Sequence, residues 1–183
     1  MFEFFKSLFN KVTPIKAGEP VHIDITNKKI KINGNKISIP CDIEALTLIL
    51  GQPRAQHYET KPDDKAVLEE MHNDASVTDR VNYMWDSVGI KCYTLDGKTV
   101  NTFSIELNKG TLEYPHIPQK LFEGTLTING QHWLPIIKSG WDGTVIQKQR
   151  VGCYSLCAEY VDIDQDVNSR TEKDYTGIEV TLP

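Results

Sequence analysis

The sequence predicts an α+β protein: antiparallel, β-rich sheet with one well-defined packed helix and an N-terminal amphipathic helix. Three observations carry this. Asn-Gly and Asp-Gly pairs sit at the centre of runs that alternate apolar and polar residues, the pattern of tight hairpins. One eight-residue apolar segment has helix start and stop signals at its two ends. The chain has 183 residues, 39% hydrophobic and 25% charged. A chain of this length buries about 70% of its extended surface, so its core needs no metal or disulfide.

Met1–Lys16 opens the chain. Phe2, Phe5, Leu8, Phe9 and Val12 recur at three- and four-residue steps, with Lys6 and Lys11 off that face and Pro14 as a stop. This predicts a short amphipathic helix over 1–16, docked on the body in preference to a membrane surface. A single α+β domain over 17–183 follows, and if it holds two subdomains they meet near 109–120, where Pro115 and Pro118 interrupt the pattern.

Ile30–Ile39 alternates on both sides of Asn33-Gly34, which supplies the two positive-φ positions of a type I′ turn. Asp42 then offers an N-cap to Ile43–Leu50, and Gly51 and Pro53 end that helix. A second helix over Asp63–His72 is favoured by composition, with only Val67, Leu68 and Met71 apolar. Val81–Trp85 reads as a strand, and Asp86–Gly89 turns it into a third hairpin arm at Ile90. That arm turns again at Asp96-Gly97 and returns through Phe103, Ile105 and Leu107. Leu126–Leu134 turns at Asn129-Gly130. The Asn33 and Asn129 hairpins align over Ile32–Pro40 and Ile128–Pro135 with one deletion. Duplication and the common look of Asn-Gly hairpins both account for this. Strand character resumes from Val145 onward, through Val151–Val161 and then Tyr175–Leu182. The core is expected to include Leu46, Leu50, Trp85, Ile90, Phe103, Ile105, Leu126 and Trp133.

Charge and ends narrow the function. Twenty basic against 25 acidic residues leave a net charge of −5. That disfavours direct binding to a nucleic-acid backbone and suits a basic protein partner. No apolar run reaches the ~18 residues of a membrane span. The first residues lack the basic start, unbroken apolar stretch and cleavage site of a secretory signal, which predicts a cytoplasmic protein. In that compartment Cys41, Cys92, Cys153 and Cys157 are expected to be free, buried thiols.

Motifs for chemistry fall short. Asp162-x-Asp164-x-Asp166 begins like an EF-hand loop, yet Val167 and Lys173 stand where the turn glycine and the bidentate glutamate belong. Cys153 and Cys157 would lie about 13 Å apart along a strand, with no second pair at zinc spacing. The five histidines form no H-E-x-x-H pair, and there is no G-x-S-x-G, P-loop or G-x-G-x-x-G. Neither catalysis nor a cofactor is expected. What stands out is acidity. Asp162, Asp164 and Asp166 share one face if extended, and Asp63, Asp64, Glu69 and Glu70 form a second group. Either could steer a basic partner, and the first group is preferred.

Two stretches resemble known families. Leu46–Pro53, LTLILGQP, resembles the helix and Leu-Gly-x-Pro stop of small outer-membrane assembly lipoproteins, whose lipobox cysteine and export signal are absent here. Val81–Tyr93, VNYMWDSVGIKCY, is similar to a strand-turn pattern built on Trp-Asp-x-x-Gly-Ile. That pattern belongs to uncharacterised bacterial domain families found beside polymorphic toxins, including type VI secretion effectors. Phe122–Gly130 fits a later strand of the pattern, so the likeness spans about residues 28–135. The resemblance implies an immunity protein that occludes the active site of a cognate toxin, and it transfers no catalytic residues. A structural or scaffold module, membrane-associated through the N-terminal helix, is the alternative.

Overall fold

A computed structural model of the chain describes residues 12–16, 18–58, 80–107, 117–133, 147–160 and 175–181. Two sheets and one helix organise them. The five-stranded sheet has the order β11-β10-β1-β2-β3. Its strands are β1 (His22–Ile25), β2 (Ile30–Ile32), β3 (Asn35–Ile37), β10 (Thr125–Ile128) and β11 (Gln131–His132). The seven-stranded sheet has the order β12-β13-β14-β9-β7-β6-β5. It comprises β5 (Arg54–Tyr58), β6 (Arg80–Trp85), β7 (Ile90–Thr94), β9 (Thr102–Glu106), β12 (Gln147–Val151), β13 (Tyr154–Tyr160) and β14 (Tyr175–Thr181). A short ladder joins β4 (Cys41–Asp42) to β8 (Thr99–Val100).

Local chemistry explains the five-stranded sheet. Asn33 and Gly34 have φ of 47° and 80°, and Asn129 and Gly130 have 52° and 77°. Both are two-residue hairpins, as expected. Ile23, Ile25, Ile30, Ile32, Ile37, Leu126 and Ile128 all turn to the core. Each turn asparagine also grips an end of β1: Asn33 N–H donates to the His22 carbonyl and Asn129 N–H to that of Ile25. The two similar hairpins therefore flank one central strand.

Helix α1 (Ile43–Leu50) runs between the predicted limits. The Asp42 carboxylate accepts from Glu44 N at 2.9 Å, and the Gly51 N–H closes on the Thr47 carbonyl. Leu46, Ile49 and Leu50 face the core, spaced three and four apart, while Leu48 is exposed. The Gly51 carbonyl accepts from the Trp85 indole at 2.8 Å, tying the helix end to the seven-stranded sheet. Buried side chains from both sheets and the helix form one core, and all eight expected core residues lie in it.

Several expectations need correction. The sheets are not wholly antiparallel, because β1 pairs with β10 in parallel. A hairpin cannot make such a pair; it needs a long crossover, here the whole chain between them. Asp96-Gly97 is not a two-residue turn. Only Gly97 has positive φ, and the chain crosses from β7 to β9 through β8, which pairs with β4 instead. Val151–Val161 is not one strand either. A two-residue turn at Gly152-Cys153, with φ +61° at the glycine, separates β12 from β13. It also leaves Cys153 exposed, where a buried thiol was expected; Cys92 is buried and Cys41 and Cys157 are half-buried. Residues 12–16 are not helical. They run over the body, with Thr13 bonded to the Asn35 side chain and Ile15 N–H to the Ile49 carbonyl. The remainder of the N-terminal helix and the Asp63–His72 helix lie outside the described residues.

Candidate functional site: the outer face of the seven-stranded sheet

The registers place Arg54, Gln56, Tyr58, Arg80, Asn82, Met84, Lys91, Tyr93, Ser104 and Glu106 on one face, away from the shared core. This face is unlike an ordinary solvated one. Met84 is fully buried, between Arg54 and Lys91 in register, whose aliphatic stems can cover it. Asn82 and Glu106 are buried as well. Lys91 Nζ lies 3.0 Å from Glu106 Oε1. Removing Glu106 would leave a half-buried ammonium without its counter-charge.

One corner is a clasp. Arg54 donates Nε and Nη2 to the two Asp86 oxygens at 2.8 and 2.9 Å, a bidentate pair. Nη2 also reaches the Ile117 carbonyl, and Asp86 Oδ1 accepts from Gln119 N at 2.9 Å. Hydrogen bonds from Arg54, helped by the Gln119 N–H, hold the Asp86 carboxyl below its ordinary pKa although burial pushes the other way. The clasp fastens residues 117–120 against the β6–β7 turn.

At the opposite end of the same strands stands a patch of different character. The Arg80 guanidinium carbon lies 5.2 Å from the centre of the Tyr58 ring and 5.5 Å from that of Tyr93. Tyr58 is 44% exposed, Tyr93 40%, and Leu95, which follows β7 directly, 55%. Of the five exposed large hydrophobics among the described residues, two thus flank one arginine, and a third, Leu95, stands just beyond the end of β7. Arg80 Nε and Gln56 Oε1 are buried and have no hydrogen-bond partner.

The acidic residues singled out from sequence do not enter this surface. Asp162, Asp164, Asp166, Asp63, Asp64, Glu69 and Glu70 all lie outside the described residues. Tyr58, Arg80, Tyr93 and Leu95 were not singled out. Their one signal in sequence is Tyr93, an aromatic at an outward position between buried Cys92 and Thr94. Among the described residues no three His, Cys, Asp or Glu side chains gather as a metal site. No helix among them is long and apolar enough to cross a membrane.

A family model matches residues 22–140, from β1 through the β10–β11 hairpin. The chain belongs to the DUF7738 family. That family is described as a domain of unknown function. No curated protein and no solved structure matches the chain. Within this DUF7738 domain the Trp-Asp-x-x-Gly-Ile stretch has an architectural use at each fixed position. Trp85 bonds the helix end, Asp86 holds the clasp and Ile90 is core. Gly89, at φ +70°, leaves room for Phe122 N, 2.1 Å from where a Cβ would stand. Strands β12–β14 lie beyond the matched region, yet β14 pairs with β9 and extends the sheet that the matched region begins.

Proposed function

We propose that this DUF7738 domain is a cytoplasmic binding module that neutralises a cognate bacterial toxin by covering its active site, without catalysis or a cofactor of its own. The observation that carries the reading is the exposed Tyr58–Arg80–Tyr93–Leu95 patch. Tyrosine and arginine dominate the energetic centres of protein interfaces, and a cluster of exposed apolar side chains about one cation matches that composition. The identity of the partner as a toxin of the type VI kind follows from the resemblance of the Trp-Asp-x-x-Gly-Ile stretch. In this reading the acidic groups at Asp162–Asp166 and Asp63–Glu70 steer a basic partner, and the patch holds it.

The test is protection. The full chain is co-expressed with any toxin domain found encoded beside it, and cell survival and complex formation are measured. Wild-type protein should protect, and Tyr58→Ser with Tyr93→Ser should weaken binding at least tenfold by faster dissociation. Lysine at 162, 164 and 166 should instead slow association at low salt and leave high-salt rates nearly unchanged. No protection by the wild type removes the toxin reading.

A further inference from the structure

We infer that the patch takes an acidic, extended segment of the partner protein, added as a strand beside β5, with one of its carboxylates seated on Arg80. This rests on the reading of the patch as a contact surface and specifies the chemistry of its occupant.

The first observation is an imbalance of charge. Of the four cations with described side chains that the registers place on this face, Arg150 at the far edge is exposed and donates Nε to the Gly152 carbonyl at 3.3 Å, and the other three lie on the β5–β6–β7 side. Arg54 has the Asp86 carboxylate at 2.8 Å and Lys91 has that of Glu106 at 3.0 Å. Among the described residues Arg80 has no carboxylate partner: its guanidinium lies over the two tyrosine rings, and its buried Nε lacks an acceptor. Ring faces attract a cation but offer no in-plane acceptor to a guanidinium fork, whereas a carboxylate meets that fork with two oxygens. The tyrosines orient the guanidinium and leave its buried Nε without an acceptor. An acidic residue from outside supplies one.

The second observation is the edge. Among the described residues β5 ends the order of the seven-stranded sheet, and its Ala55, His57 and Tyr58 are exposed. It carries no proline, lysine or bulge that would block a further strand. An extended segment can therefore continue the ladder through main-chain hydrogen bonds, while alternate side chains supply specificity. Tyr58 sits directly opposite Arg80, between it and that edge. An added strand would lie two spacings from β6, about 10 Å, a gap that an arginine and a glutamate reaching over the Tyr58 ring close together.

The probe is an N-acetylated, C-amidated hexapeptide alternating threonine and glutamate, titrated into the isotopically labelled full chain and followed by NMR. A second peptide carries glutamine for each glutamate, and a third titration uses inorganic phosphate. The glutamate peptide should shift the β5 amides and the Arg80 side-chain signal with at least tenfold higher affinity than the glutamine peptide. Arg80→Gln should reduce it to the glutamine level, and Arg80→Lys should restore part of the difference. Equal affinities in the wild-type protein, which need no variant to fold, would overturn the proposal. So would shifts confined to other strands, or the same shifts from phosphate at the same concentration. Protection from the toxin together with equal peptide affinities removes this assignment alone; absence of protection removes the toxin reading alone.

Discussion

The two sheets bury similar apolar side chains on their shared side and differ on the other. Across the parallel pair of the five-stranded sheet the outer face carries short polar rungs. His22 meets Thr125 at 3.1 Å, and Thr127 donates to Asp24 at 2.8 Å. The seven-stranded sheet instead buries Met84, Asn82 and Glu106 outward, and gathers ion pairs and exposed tyrosines there. The first sheet is held by its core face and its turns, and its outer groups are replaceable. The second has two committed faces, and that is where a partner surface can be built without loosening the core.

The largest expected effect contrasts two glycines. Gly89→Ala places a Cβ 2.1 Å from Phe122 N in a left-handed backbone, whereas at Gly34, φ +80°, a Cβ meets nothing within 4 Å. Gly89→Ala should cost at least about 3 kcal/mol, from the strained backbone plus overpacking. Gly34→Ala should cost about 1–2 kcal/mol from the backbone alone. Denaturant unfolding measures both, and equal losses would break the contrast between a close approach and a free turn.

Outer-face carboxylates come next. Asp86→Ala removes a bidentate pair whose side chains are 36% and 24% exposed, so after solvent screening the loss should be about 1–2 kcal/mol. Asp24→Ala removes a bond to the Thr127 hydroxyl and should cost less than about 1 kcal/mol. A larger loss at Asp24 would make the five-stranded outer face the more committed one.

Acid sharpens the same point. The Thr99 hydroxyl, with the Thr99 and Lys98 N–H groups, holds the Asp96 carboxyl down at about 2. The folded value lies below the unfolded one of about 3.9, so this stabilisation is complete above about pH 4 and is lost as pH falls toward 2. Asp86 contributes with the same sign. Asp96→Asn should therefore flatten the pH dependence of stability between about 4 and 2 and leave the slope at neutral pH unchanged.

The smallest perturbation is chemical. Burial pushes the Cys92 thiol up to about 12 and the Cys41 thiol to about 11. Cys153, exposed at its turn, should react with a thiol reagent at neutral pH more than tenfold faster than either, with no loss of fold. Comparable rates would mean that the seven-stranded sheet opens readily.

Residues close in sequence determined much of this protein by themselves. Asn33-Gly34 and Asn129-Gly130 encode their turns through backbone conformation, and Asp42 and Gly51 encode the ends of α1 through capping. Period-two alternation marked the core side of most strands, because side-chain direction in a strand is local. Tertiary structure decided which strands pair. The parallel contact of β1 with β10 and the pairing of β14 with β9 join segments distant in sequence. Alternation states which face is buried but says nothing of the neighbour. For the same reason Tyr58, Arg80 and Tyr93 could not be read as one site: they lie on three strands, and only the register between those strands brings the arginine between the two rings.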